Sequence, residues 1–119
     1  MLANPKISPV VNLGGSFATL ALTGGAANQL INPGSNARGV VLNWFHVDMT
    51  AGGSQAGVYV ATSAPTGIAD ATKRRIAAAN NGGIQLFSHV PIFLPAGLGL
   101  FVWAGAGGGN IASAGWDYL

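Results

Sequence analysis

Turn residues interrupt this chain at intervals of about eight to twelve positions, and the stretches between them are apolar or alternate in character. The run SFATLALT at residues 16–23 places successive side chains on opposite faces of an extended strand, and Gly24 and Gly25 end it. Asn-Pro-Gly at residues 32–34 is a second strong turn signal. This spacing is typical of an all-β protein built from many short strands, either a sandwich or a barrel.

The pattern predicts about eight strands in a jelly-roll-like antiparallel β-sandwich. The predicted strands are residues 16–23, 27–36, 38–49, 58–62, 84–90, 92–94, 98–104 and 110–119. Residues 51–57 are expected to close a hairpin between the third and the fourth strand. Residues 62–83 fit either one or two helical turns or a long loop between strands, and the sequence does not distinguish between these two possibilities.

The first 13 residues are predicted to form an extended arm, and residues 14–119 the sandwich domain. Pro5 and Pro9 exclude a helix or a central strand there, because each removes a backbone donor. The segment is nevertheless too apolar to lie free in solvent, so we expect it to lie across a neighbouring subunit. The residues expected to touch that neighbour are Lys6, Ile7, Val10 and Val11.

Charged residues make up only 7% of the chain, five basic and three acidic. So few cations cannot neutralise many phosphates, which argues against nucleic acid as a partner. No apolar run reaches the ~20 residues that span a bilayer, and the N-terminal sequence does not resemble a signal peptide, so we expect synthesis in the cytoplasm. A surface this poor in charge favours extensive contact with other protein chains.

His46, Asp48 and His89 form the sharpest motif for chemistry. His-x-Asp followed by a distant His is the ligand pattern of non-haem iron oxygenases, and residues two apart on a strand share a face. However, the chain is short, and no lysine or arginine follows Arg75 to bind an acidic cosubstrate. We therefore predict surface or interface histidines, with no catalytic metal and no cofactor.

Other catalytic patterns are missing from the sequence. There is no glutamate, no Gly-x-Ser-x-Gly elbow, and no Gly-Lys-Ser/Thr after any glycine run. The three acids, Asp48, Asp70 and Asp117, fall in separate predicted segments. The sequence thus predicts a protein that is not an enzyme.

Two further groups are candidates for partner binding. Lys73, Arg74 and Arg75 are the only charge cluster, which either docks on an acidic partner or forms the solvated side of a loop. The tryptophans fit a core or a subunit interface. Trp116, followed by Asp117 and Tyr118, is the only one with the polar neighbours that a sugar-stacking site needs.

Residues 98–104 carry apolar side chains on both faces, with Phe101 and Trp103 opposite Leu98 and Leu100. A single small core buries only one face of a strand, so the other face is expected to meet another subunit. We predict a homo-oligomer, specifically a trimer. The partner-binding residues assigned on this basis are Phe101 and Trp103, and the aromatic residues Trp116 and Tyr118 of the closing strand are assigned with them as interface candidates.

The C-terminal segment PIFLPAGLGLFVWAGAGGGNIASAGWDYL at 91–119 combines a Leu-Pro-Ala-Gly corner, an apolar strand, a Gly/Ala-rich loop and a closing strand. It resembles small β-sandwich virion proteins of tailed phages, and NQLINPGSNARGVVLNWFHVDM at 28–49 adds an Asn-Pro turn before a central strand. Residues 62–83 have no counterpart in that resemblance, and it transfers no site residues.

The resemblance implies a non-enzymatic structural protein of the virion, most directly a capsid decoration protein that binds the major capsid protein and stabilises the shell. One alternative is a tail-fibre or spike module that binds a host receptor or glycan. A remote alternative is a small metal-dependent enzyme built on the histidine motif. The expected location is the capsid surface or the tail.

Overall fold

The computed structural model describes residues 12–49, 55–80, 85–106 and 109–119. These ranges contain nine strands, one 3-10 turn and no α-helix, so the predicted all-β fold is confirmed. The elements are β1 (Ser16–Ala21), β2 (Ala26–Ile31), a 3-10 turn (Pro33–Ser35), β3 (Val40–Asp48), β4 (Ala56–Ala61), β5 (Arg74–Ala79), β6 (Gln85–Ser88), β7 (Ile92–Leu94), β8 (Gly99–Ala104) and β9 (Ile111–Tyr118).

The strands form two antiparallel sheets that pack face to face. Sheet A has the order β1-β9-β3-β6, and the short strand β7 pairs with the other half of β3. Sheet B has the order β2-β8-β4-β5. The predicted β-sandwich is therefore confirmed, with nine strands instead of eight because β5 was not predicted.

The strand pairing is nested from the chain ends inwards. The first strand pairs with the last (β1 with β9), and then β2 pairs with β8, β3 with β6 and β7, and β4 with β5. A long antiparallel ribbon folded over itself in this way produces the jelly roll, as predicted.

The predicted hairpin between the third and fourth strands is wrong. β3 lies in sheet A and β4 lies in sheet B, so the chain crosses between the sheets there. The physical reason is that β3 has no free edge, because β9 occupies one side and β6 with β7 the other. The chain also crosses from β7 in sheet A to β8 in sheet B, and from β8 back to β9 in sheet A.

Neither interpretation of residues 62–83 describes the whole segment. Its middle part forms β5, which pairs with β4, and a loop at 62–73 precedes it. Ile76 and Ala77 of β5 pack partly against the core, and this long-range pairing prevails over the helical spacing of the sequence.

The core lies between the inner faces of the two sheets. Its fully buried side chains include Leu42, Val47, Val58, Leu100 and Val102. The register of β3 against β9 shifts between Leu42 and Trp44, as in a β-bulge. In a regular strand, residues three apart lie on opposite faces. Because of this irregularity, Leu42 and Phe45 both contribute to the core, so β3 carries apolar residues at positions that strict alternation would place on opposite faces.

Asn36 joins the turn before β3 to the corner before β8. Its side chain is 3% exposed, and Nδ2 donates to the carbonyl oxygens of Leu94, Pro95 and Leu98 at 3.3, 2.8 and 2.9 Å. Its Oδ1 accepts from the backbone N–H of Gly39 at 2.7 Å. One buried amide thus satisfies backbone groups of two crossing connections.

We expect Asn36→Ala to lower the free energy of unfolding by about 2–4 kcal/mol, because several buried backbone groups lose their partner. Asn32→Ala is the matched control, since the Asn32 side chain is exposed and accepts only from the Gly34 N–H. Removing the Asn32 side chain is expected to lower the free energy of unfolding by about 1 kcal/mol. Equal losses in denaturant titrations of the two variants would contradict this role of Asn36.

Candidate partner-binding face

The outer side of sheet A exposes large apolar side chains. Phe17 is 78% exposed, Phe87 60% and Phe93 57%. Each stands on the opposite side of its strand from residues that pack on the core, such as Leu20 and Leu86. We call this surface the aromatic face and define it by Phe17, Trp44, His46, Phe87 and Phe93.

Strand register places these side chains in rows across the sheet. Phe17 lies opposite Gly115, which in turn lies opposite Trp44. In a parallel row, Ser113 lies opposite His46, and His46 lies opposite Phe87. The described strands of sheet A contain no lysine or arginine, so the face is apolar with a few neutral polar groups and acids.

The segment that precedes β1 is anchored on this side of sheet A. The indole Nε1 of Trp44 donates to the carbonyl oxygen of Leu13 at 3.2 Å, directly over Gly115. The Gly15 N–H donates to Asp117 Oδ1 at 2.7 Å, and Asn43 Nδ2 donates to Asp117 Oδ2 at 2.9 Å. Asp117 therefore fastens the start of the described chain to β9 and β3.

Glycine is required at position 115 by this close approach. A Cβ there would lie 2.1 Å from the Leu13 oxygen and 2.2 Å from Trp44 Nε1, which is far inside van der Waals contact. The described chain consequently begins at the aromatic face. The predicted arm contacts Lys6, Ile7, Val10 and Val11 lie outside the described residues.

The histidine motif is arranged around a phenylalanine. The Phe87 ring lies between the His46 ring, at a centroid distance of 6.3 Å, and the His89 ring, at 5.6 Å. His46 and Asp48 do lie on the same strand two residues apart, as the motif requires. Within the described part of the chain, no three metal-binding side chains come together; His46 belongs instead to the aromatic face, and His89 packs against its Phe87.

The basic cluster lies on sheet B, at the edge strand β5 and the loop before it. Lys73 Nζ donates to Ser63 Oγ at 2.8 Å, and Arg75 Nη1 donates to the carbonyl oxygen of Ile68 at 2.9 Å. Arg74 and Arg75 are exposed. Arg75 thus holds the 62–73 loop to β5, and Lys73 joins the two ends of the loop, while the described contacts include none to the Arg74 guanidinium.

The same loop covers the outer side of sheet B. The Tyr59 hydroxyl donates to the carbonyl oxygens of Gly67 and Ile68, and the Ile68 side chain lies above Gly57. Tyr59 itself is fully buried, although it points away from the core. The chain therefore provides its own cover for this sheet.

Two of the predicted partner contacts are buried within the chain itself. Phe101 is 3% exposed, because it lies beside Tyr59 on the side of sheet B that the chain itself covers. Trp116 is 5% exposed, because its side chain points into the core. The expectation that the Phe101 side of residues 98–104 must meet another subunit fails for the same reason.

The remaining C-terminal aromatic residues are partly accessible. Trp103 is half-buried on sheet B, and Tyr118 is 45% exposed with its ring packed edge-on against Trp116 at 6.3 Å. Trp116 offers no exposed ring for a sugar, and the Asp117 carboxylate already accepts two hydrogen bonds. The three residues do not form the sugar-stacking platform that was considered from the sequence.

Sequence reasoning did not identify the three exposed phenylalanines. For Phe17 a signal was present, because alternation places it with Thr19 and Thr23 on the more polar side of its strand. For Phe87 and Phe93 the strands are too short for alternation to identify the outer face. Only their pairing with β3 does so.

Comparison of the chain with protein-family models, with curated proteins and with solved structures finds no match. Within the described residues there is no helix of the length and apolar character needed to cross a membrane.

Asp70 organises the loop that covers sheet B. Its carboxylate accepts hydrogen bonds from the backbone and hydroxyl groups of Thr72 and Thr66. These bonds, the Thr72 hydroxyl first, lower the pKa of Asp70 from 3.8 to about 2. A lowered pKa in the folded state stabilises the fold above pH 4, and this contribution is lost as the pH falls from about 4 towards 2.

We therefore expect the stability of Asp70→Asn to depend less on pH in the acidic range than that of wild type. The difference in stability between the two proteins should decrease as the pH falls from 5 to 2. Ser63→Ala, in the same loop, is the control and should shift the curve without changing its slope. Thermal unfolding followed by circular dichroism across this range measures both. Parallel curves for wild type and Asp70→Asn would contradict the role of the carboxylate.

Proposed function

We propose that the protein is a non-enzymatic structural protein of a phage virion, a decoration protein that binds the major capsid protein of the head shell through the aromatic face. The observation that carries the proposal is the exposure of three phenylalanines on one rigid sheet that has no cation. Soluble proteins rarely expose such a patch unless it binds something, and aromatic side chains are enriched at protein–protein interfaces.

The roles of the acidic side chains agree with a structural function. Asp117 holds the segment before β1 against sheet A, and Asp70 holds the loop that covers sheet B. Both carboxylates are thus used to fix the backbone. His46, the best candidate for a metal ligand, packs against the exposed Phe87 on the proposed binding face.

The assignment to a phage particle comes from the resemblance of residues 91–119 and 28–49 to small virion proteins. These stretches contain β7, β8 and β9, and the 3-10 turn with β3, which together include most of sheet A. The resembling stretches therefore contribute Trp44, His46 and Phe93 to the proposed binding face, whereas Phe17 and Phe87 lie outside them.

The N-terminal arm extends the same proposal. Leu13 is anchored beside Trp44, so the described chain begins on the side of sheet A where the partner is proposed to bind. Contacts of Lys6, Ile7, Val10 and Val11 with a neighbouring chain remain part of the proposal. The argument for a trimer, in contrast, relied on an exposed Phe101 and loses that support.

The test is binding of the purified protein to heads that lack it. We expect Phe87→Ser combined with Phe93→Ser to weaken binding by at least about tenfold, because central aromatic contacts dominate interface energy. Arg74→Ser, exposed on the opposite sheet, is the control and should bind like wild type. Circular dichroism establishes that each variant is folded.

The opposite pattern would overturn the proposal. If the double phenylalanine variant sediments with heads as wild type does, the aromatic face is not the docking surface. If wild type sediments with isolated tails or fibres and not with heads, decoration is wrong and the fibre alternative replaces it.

A further inference from the structure

The sandwich has four edge strands, and they differ in how open they are to another strand. β1 and the β6–β7 pair are the edges of sheet A, and β2 and β5 are the edges of sheet B. An edge strand presents unpaired backbone donors and acceptors, and most proteins protect it with charges, proline, bulges or irregular length. The four edges can therefore be compared for these features.

Three of the edges carry such features. β5 begins with two exposed arginines, Arg74 and Arg75. The β6–β7 edge is interrupted between Ser88 and Ile92, where Pro91 lies. The register of β2 shifts between Gln29 and Ile31. Each of these features discourages regular addition of a further strand.

β1 carries none of them. Its sequence SFATLA has no charge, no proline and no glycine. All six residues keep an unbroken register with β9, from Ser16 opposite Trp116 to Ala21 opposite Ile111. Among the described strands, β9 is its only partner in the sheet, so its other edge presents a regular row of backbone groups.

Side chains on both faces of β1 are also incompletely covered. On the outer face Phe17 is 78% exposed, the most exposed large apolar side chain of the described chain. On the inner face Ser16, Ala18 and Leu20 are only half-buried, although Ala18 and Leu20 pack against the core. A strand laid along β1 would cover both faces and satisfy the edge at once.

We propose that a second copy of this chain adds its own β1 to this edge, antiparallel and around a twofold axis. Both strands are uncharged, so no like charges meet, and a twofold axis makes the same edge fit itself. Residues that lie opposite each other in an antiparallel pair are on the same side of the sheet. The twofold axis must therefore pass between one residue and the same residue of the other copy. With the axis at Thr19, Phe17 lies opposite the small Ala21 of the other copy.

This pairing joins the two copies of sheet A into one continuous sheet, and their aromatic faces lie side by side. The proposed dimer is argued from the sequence, register and exposure of β1, and it is independent of what the aromatic face binds. The contact is small, formed by one strand pair and two phenylalanines, so it should be weak in dilute solution. It should strengthen where copies are concentrated on a surface.

The absence of cysteine from the chain permits a clean test. Thr19→Cys should form an intermolecular disulfide on mild oxidation, because opposite residues at the axis are within disulfide range. Phe87→Cys, also exposed but on the opposite edge of sheet A, is the control and should not crosslink above the level expected for random collision. In sedimentation velocity, Thr19→Lys and Phe17→Ser should weaken dimerisation at least about tenfold.

The results separate the proposal from its competitors. A disulfide from an equal mixture of Phe17→Cys and Thr19→Cys, with none from either alone, would support the same edge with the axis moved to Ala18. Equal crosslinking of Thr19→Cys and Phe87→Cys would overturn the proposal, and so would a concentration-independent monomer up to millimolar protein. A dimer that Phe87→Ser abolishes and Thr19→Lys leaves intact would overturn it in favour of face-to-face contact.

Discussion

Strand β9 holds sheet A together, because it hydrogen-bonds to β1 on one side and to β3 on the other. The last strand of the chain is therefore interior to the sheet, and the first strand has no partner in sheet A without it. Ser16 pairs with Trp116 across almost the whole length of the sequence. Contacts of such long range make folding slow and require the C-terminal residues to be present before sheet A can form.

The position of β9 also determines which parts of the molecule remain accessible. Its Gly115 leaves room for Leu13 and Trp44 on the outer side, while Trp116 fills the core on the inner side. Since β9 and β3 fill the interior of sheet A, β1 is placed at its edge with Phe17 in solvent. The proposed docking face and the proposed dimer edge both follow from this one strand order.

The two outer surfaces of the sandwich differ in how they are covered. On sheet B, the 62–73 loop lies above Tyr59 and is held by Asp70, Lys73 and Arg75. On sheet A, the described residues provide only the short segment at Leu13, which leaves Phe87 and Phe93 exposed. Half of the eight charged residues, namely Asp70, Lys73, Arg74 and Arg75, thus lie in or beside the loop with which the chain covers sheet B, whereas large apolar side chains are exposed where a partner is proposed.

Turn spacing and alternation were sufficient to predict the jelly-roll class, because both depend on short-range sequence. They could not predict which strand pairs with which, so the crossing from β3 in sheet A to β4 in sheet B resembled a hairpin. β5 was missed because Arg74 and Arg75 begin it and its pairing with β4 is long-range. Phe101 was misassigned because the loop that covers its side of sheet B comes from 30 to 40 positions earlier in the chain, which no local pattern reveals.

Hydroxyl-radical footprinting of the protein, free and bound to heads, tests the central claim that the partner docks on sheet A. The method measures the accessibility of individual aromatic side chains, and the three exposed phenylalanines are suitable probes. The account predicts strong protection of Phe87 and Phe93 on binding, with unchanged reactivity of Trp103 on sheet B. Protection of Trp103 with unchanged Phe87 and Phe93 would contradict it.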